Sequence, residues 1–209
     1  MFPGHQLLRI VVVSGLATAV GLTLAPSASL LPTPDPHAGH AVTALVSRPP
    51  LVASTALPQD FSRRFGYTPS VTDGLLGDPS GGCSSPVPLP VEFTAACRQH
   101  DLGYDLLRYA GRSGRTLPPD ARRAIDAQLG VALEASCAER ERPVGRAICL
   151  AWADVAHGFV RINSVRQGDA VPERESALTL APGAAAGVAA LGAVGLGLGA
   201  RRARRGGAR

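Results

Sequence analysis

The sequence predicts an all-α protein: a small disulfide-stapled bundle of about three helices, flanked by a signal peptide and a C-terminal transmembrane helix. Three observations carry this expectation. Three stretches between residues 91 and 165 place apolar residues and cysteines at steps of three and four, the repeat of one helix face. No stretch of any length alternates apolar and polar residues as a half-buried strand would. An uncharged, mostly aliphatic segment stands near each end of the chain.

The N-terminal segment, residues 10–24, reads IVVVSGLATAVGLTL, with Arg9 as the only charge before it and small residues from Ala25 to Ser29 behind it. That order of basic residue, apolar run and small residues predicts a signal peptide over residues 1–29, cut after Ser29 or Ser27. An uncleaved anchor is the alternative. Residues 177–200 carry no charge and run straight into Arg201-Arg202-Ala203-Arg204-Arg205. About 20 helical residues cross roughly 30 Å of hydrocarbon, so the segment is long enough to span a membrane. The arginines predict that residues 201–209 form a basic cytoplasmic tail. An Ala/Gly linker is the competing reading of 177–200. Together the ends predict an exported domain tethered in the cell membrane by its own C-terminal helix.

Charge excludes one class of partner. All 21 basic residues are Arg, against 16 acids, for a net charge of +5. Six of those arginines, Arg9 and five beyond residue 200, lie in the terminal segments. Between residues 30 and 200 the balance is −1, whereas a nucleic-acid-binding domain keeps its positive charge on the folded part. No nucleic acid is expected.

Residues 30–58 contain six prolines and little charge and are expected to be a Pro-rich linker. His37 and His40 lie within it and are expected to be solvated. Residues 169–176 read as a second, polar linker, which leaves 59–168 as the folded domain. All four cysteines fall inside it. An even count in an exported chain predicts two disulfides, and spacing alone permits three pairings. Their gaps of 14, 40 and 12 residues are unlike the close pairs of a zinc site.

The first helix is expected over about Val91–Tyr109, started by Pro90 and stopped by Gly111, with Phe93, Cys97, His100, Tyr104 and Leu107 on one face. The second follows Pro118-Pro119-Asp120, with Asp120 as its cap, and runs to about Arg140. Its stripe is Asp126, Gly130, Leu133 and Cys137, which turns Asp126 inward. The third covers about Val144–Val165 and buries Cys149, Trp152 or Ala153, Ala156 and Val160. Trp152 and Phe159 are assigned to the core, and His157 to the boundary of the apolar face.

The chemistry concentrates in Cys97-Arg98-Gln99-His100-Asp101-Leu102-Gly103-Tyr104. Neighbours on a helix point about 100° apart, so Asp101 cannot orient His100 and the two must serve different purposes. Asp126, facing inward from the second helix, can. A buried carboxylate that holds an imidazole in one tautomer and stabilises its charged form is the arrangement a general base needs. Asp101, off that face, is free to ligate a hard cation. A His on an apolar helix face is otherwise a satisfied structural residue.

These residues resemble the secreted phospholipase A2 family, in its small all-helical bacterial branch. The motif Cys-x-x-His-Asp-x-Gly-Tyr is met by Cys97, His100, Asp101, Gly103 and Tyr104, and an Ile-Asp pair on an antiparallel helix by Ile125-Asp126. The likeness covers about residues 73–165. It implies that His100 activates a water to hydrolyse the sn-2 ester of a glycerophospholipid at a membrane surface. It implies that Asp126 steadies the imidazolium, and that Asp101 and a glycine-rich loop bind Ca²⁺. The same likeness implies the disulfides Cys83–Cys97 and Cys137–Cys149. Tyr104 is expected either to hydrogen-bond Asp126 or to pack in the core. The chain departs from the family where its calcium loop has an Asp two residues before the Cys, for position 81 is Gly. Asp78, ahead of Asp73, is then the second expected Ca²⁺ ligand. If calcium binding is lost, the alternative is a catalytically inactive phospholipase-like module that binds or organises at the cell surface.

Overall fold

The computed structural model describes residues 33–173; the expected signal peptide (1–29), membrane span (177–200) and basic tail (201–209) lie outside them. Among the described residues no helix is long and apolar enough to cross a membrane. The fold is mostly helical, with α1 (Pro36–Ser47), α2 (Pro50–Thr55), α3 (Phe61–Phe65), α4 (Thr94–Arg112), α5 (Pro119–Ser136) and α6 (Pro143–Arg166). The three expected helices are α4, α5 and α6. A short 3₁₀ turn, Val91–Phe93, precedes α4, whose last turn includes Gly111. Asp120 lies in the first turn of α5 and does not cap it.

Three expectations are corrected. Residues 30–58 are not a linker from Pro36 onward. Pro36 and Pro50 occupy first-turn positions, where a missing N–H costs nothing, so they start helices. Asp35 caps α1 by accepting from the N–H groups of His37 and Ala38, both at 3.0 Å. Ala38, Ala41, Val42 and Leu45 then bury one face at helical spacing, in the same core as Leu102, Leu106 and Ile125. His37 and His40 are exposed, as expected.

The second correction is a β-hairpin. β1 (Ser70–Thr72) pairs antiparallel with β2 (Leu75–Gly77) in the register Val71↔Leu76. Its two-residue turn is Asp73-Gly74, with φ of 49° and 76°, the left-handed pair that tight hairpins favour. The third concerns residues 169–176. Up to Glu173 this stretch is packed: Asp169 pairs with Arg123 and Arg161, and the carbonyls of Ala170 and Pro172 accept from Arg122 and Arg108.

Two apolar clusters hold the helices. One joins α1, α2, α3, β2, α4 and the start of α5; the other joins Phe93, Ala96, Leu129, Leu133 and Ala153 around the second disulfide. The disulfides are Cys83–Cys97 and Cys137–Cys149. Loops of about this length stabilise by roughly 3 kcal/mol each, by restricting the unfolded chain. Trp152 packs on the second cluster. Phe159, expected in the core, is 42% exposed on the outer face of α6. His157 is half-buried and its Nε2 has no partner among the described residues.

Candidate active site

Helices α4 and α5 pack closely at Gly103. A Cβ there would lie 2.7 Å from the Ile125 side chain, so only glycine lets the helices come this near. That approach sets His100, one turn before Gly103, across from Asp126, the residue after Ile125. His100 Nε2 lies 3.0 Å from Asp126 Oδ1. The Asp126 side chain is fully buried and that of His100 is 10% exposed.

Each donor around Asp126 follows from its being a carboxylate, which only accepts. The Tyr104 hydroxyl donates to Oδ1 at 2.9 Å, and Arg161 Nη1 donates to Oδ2 at 2.8 Å. With its one hydrogen used, the Tyr104 oxygen accepts from Ser164 Oγ at 3.1 Å; Ser164 in turn accepts from Arg122 Nε at 3.0 Å. Arg122 is itself buried, its Nη1 donating to Gln167 and to the Ala170 carbonyl. Burial pushes the Asp126 carboxyl up, but hydrogen bonding from His100 and the Ser164–Tyr104 hydroxyls, with the nearby imidazole, outweighs it. The carboxyl is therefore held below its usual range and stays ionised. Nε2 of His100 then carries the hydrogen, and Nδ1 is the nitrogen left for a water. Burial, and next the charge on Asp126, push the Tyr104 phenol up to about 12. It remains a donor.

A cleft of about 230 Å³ lies next to Gln99, between Leu45, Arg48, Pro50 and Ala53 on one side and Leu75, Gln99 and Gln128 on the other. Its outer wall is the end of α1 and the start of α2, both within the segment expected to be a linker. A second, narrower cleft lies at His100, between Leu45, Gln99, Gln128, Ile125 and Leu129, and is too narrow for a water.

On the next face of α4 the loop after β2 closes over Asp101. Gly82 N–H donates to Asp101 Oδ2 at 2.9 Å, and Arg98 Nε donates to the Gly81 carbonyl at 3.2 Å. Burial pushes the Asp101 carboxyl up; the Gly82 N–H and the His100 side chain only partly offset this, and Asp78 and Asp105 add to it. Asp78 sits at the loop's start, its Oδ1 accepting from the N–H and hydroxyl of Ser80 at 2.8 and 2.7 Å. Asp73, in the hairpin turn, has a backbone task instead. Ca²⁺ takes roughly six to eight oxygens. Asp101 and Asp78 each have one oxygen committed, and among the described residues no group of three His, Cys, Asp or Glu could hold a metal. As folded, Asp101 and Asp78 by themselves offer far fewer free oxygens than a calcium ion takes.

The structure thus brings together His100, Asp126 and Tyr104 and separates Asp73 from them in role. Sequence reasoning missed Arg161, Ser164 and Arg122, and also Asp105, buried with Tyr67 and Arg108 as donors. A signal for two of them existed: Arg161 and Ser164 are polar residues three apart, and Ser164 falls in helical register with the buried Cys149 and Ala153 of α6. Against protein-family models, curated proteins and solved structures, nothing matches this chain.

Proposed function

We propose that the chain hydrolyses a carboxylic ester of a phospholipid, with His100 as general base and Asp126 as its orienting partner. The observation that carries this is the buried His100–Asp126 hydrogen bond at 3.0 Å, with every Asp126 oxygen held by donors. His100 Nδ1 takes a proton from water as the water oxygen attacks the ester carbonyl carbon. The resulting imidazolium is stabilised by the Asp126 charge. The proton then passes to the leaving alkoxide oxygen as the C–O bond breaks, which returns His100 to its neutral state. Phospholipid as the substrate rests on the resemblance carried by Cys97, His100, Asp101, Gly103 and Tyr104. The neighbouring cleft offers Leu45, Pro50, Ala53, Leu75 and Leu76 to an acyl chain, with Arg48 and Gln99 among its polar groups. Residues 10–24 and 177–200 support the placing of this domain outside the cytoplasm, tethered at its C-terminus. A reporter fused after Arg209 is then active only in a cytoplasmic form; activity of an export-dependent reporter there would refute the tether.

A second reading, an inactive module at the cell surface, is favoured by the loop over Asp101 and by the narrowness of the cleft at His100. Fatty-acid release from phospholipid vesicles by the full chain separates the two. Release that disappears in His100→Ala supports the hydrolase, and a folded wild-type chain with no release supports the module.

A further inference from the structure

Gly81 stands where the resembling enzymes have an Asp, and its surroundings show what that glycine permits. A Cβ at Gly81 would lie 2.5 Å from Asp101 Oδ2 and 3.2 Å from Asp78 Cβ. The loop backbone therefore rests directly on the Asp101 carboxylate, and a side chain at 81 would have to push that carboxylate aside. The loop is tied at several points. Asp78 N–H donates to the Arg98 carbonyl, Gly81 N–H to the Asp78 carbonyl, and Gly82 N–H to Asp101. The Cys83–Cys97 disulfide fixes its end to α4. The Gly81 carbonyl, an oxygen that a calcium ion would want, already accepts from the Arg98 guanidinium. The free carboxylate oxygens left nearby are Asp101 Oδ1 and Asp78 Oδ2, far short of a cage.

We infer that this chain works without bound calcium, and that Arg98, by holding the Gly81 carbonyl, is the cation that keeps the 78–83 loop closed on Asp101. The inference rests on the hydrolase reading of His100 and Asp126. Two readouts on the full chain test it after treatment with a chelator. In the first, calcium is titrated in while binding heat and melting temperature are followed. A ligand that binds only the folded state raises its melting temperature once it exceeds its Kd. No saturable heat and no rise are expected into the millimolar range. Arg98→Ala should lower the melting temperature by roughly 5 °C, equally with and without calcium, because a charged side-chain bond to the loop is gone. Arg98→Gln, which keeps a donor, should fall less. In the second readout, fatty-acid release from mixed phosphatidylcholine and phosphatidylglycerol vesicles is expected to be the same in chelator and in calcium. Saturable calcium binding, or release lost in chelator and restored by calcium, overturns this inference while leaving the hydrolase reading intact. A folded chain that releases nothing in either condition overturns both.

Discussion

Two carboxylates on opposite sides of the His100 position meet opposite fates. Asp126 is fully enclosed, yet it accepts from His100, Tyr104 and Arg161, and these donors hold its carboxyl down. Asp101 is only half-buried, accepts a single backbone N–H, and is pushed up. Burial alone would order them the other way. What decides is the number of donors aimed at each carboxylate, since hydrogen bonds to the charged form favour it while desolvation opposes it. The difference teaches that α4 has one face built to keep a negative charge and another that merely tolerates one. A general base needs the first kind of face. A cation site needs several such oxygens together, and the loop face does not assemble them.

The largest effect expected from breaking this contrast is at Asp126. Asp126→Ala removes the carboxylate shared by His100, Tyr104 and Arg161, leaving Arg161 to Asp169 and the Tyr104 hydroxyl to Ser164, and loss of one partner of a buried charge pair costs up to about 3–5 kcal/mol. Urea unfolding of wild type and variant measures it; a loss under about 1 kcal/mol would mean that the donors are satisfied elsewhere. Next is Gly103→Ala. The added methyl meets Ile125 at 2.7 Å and forces α4 and α5 apart, which should cost roughly 1–3 kcal/mol and lower hydrolysis further than the stability loss explains. An unchanged rate in a folded Gly103→Ala protein would mean that the helix spacing does not set the His100–Asp126 geometry.

The smallest effects are in pH dependence, and the two carboxylates should show opposite signs. Asp126, held low, contributes stability above its unfolded pKa of about 3.9, and this is lost as pH falls through its lower folded value. Asp101, held high, costs stability where it is ionised, and that cost disappears as pH falls through its raised folded value. Asp101→Asn keeps an acceptor for Gly82 and should therefore stabilise the protein at neutral pH, by no more than about 1 kcal/mol. The gain should vanish in acid, where wild-type Asp101 is protonated in both states. Thermal melts across the acid range check this, and a gain that persists in acid would show that charge is not its cause.

Much of the site was legible because its residues are close in sequence or repeat at helical steps. His100, Asp101 and Tyr104 share one helix, and Asp126 falls on the stripe that leads to Cys137. The donors to Asp126 were not legible, because Arg161 stands 35 residues from it and Ser164 stands 42 from Arg122. Such pairings exist only once α6 has folded back on α5. The wall of the cleft was missed for a different reason. Prolines at 36 and 50 read as punctuation, yet at a helix start proline is favourable, and the Asp35 cap with small apolar residues behind it was the better signal. The hairpin pairs three residues on each strand, too short for alternation to show, although Asp73-Gly74 is a turn signature.

In the proposed ester hydrolysis it is His100, held by Asp126, that moves the proton. The most direct test is the rate of fatty-acid release from phospholipid vesicles by wild type and by His100→Ala, with both proteins shown to be folded by the same melting transition. Measurable release is expected from wild type and a fall of about 10² to 10⁴ in the variant, the size of a lost general base. Equal rates in the two proteins, or no release by a folded wild-type chain, would contradict it.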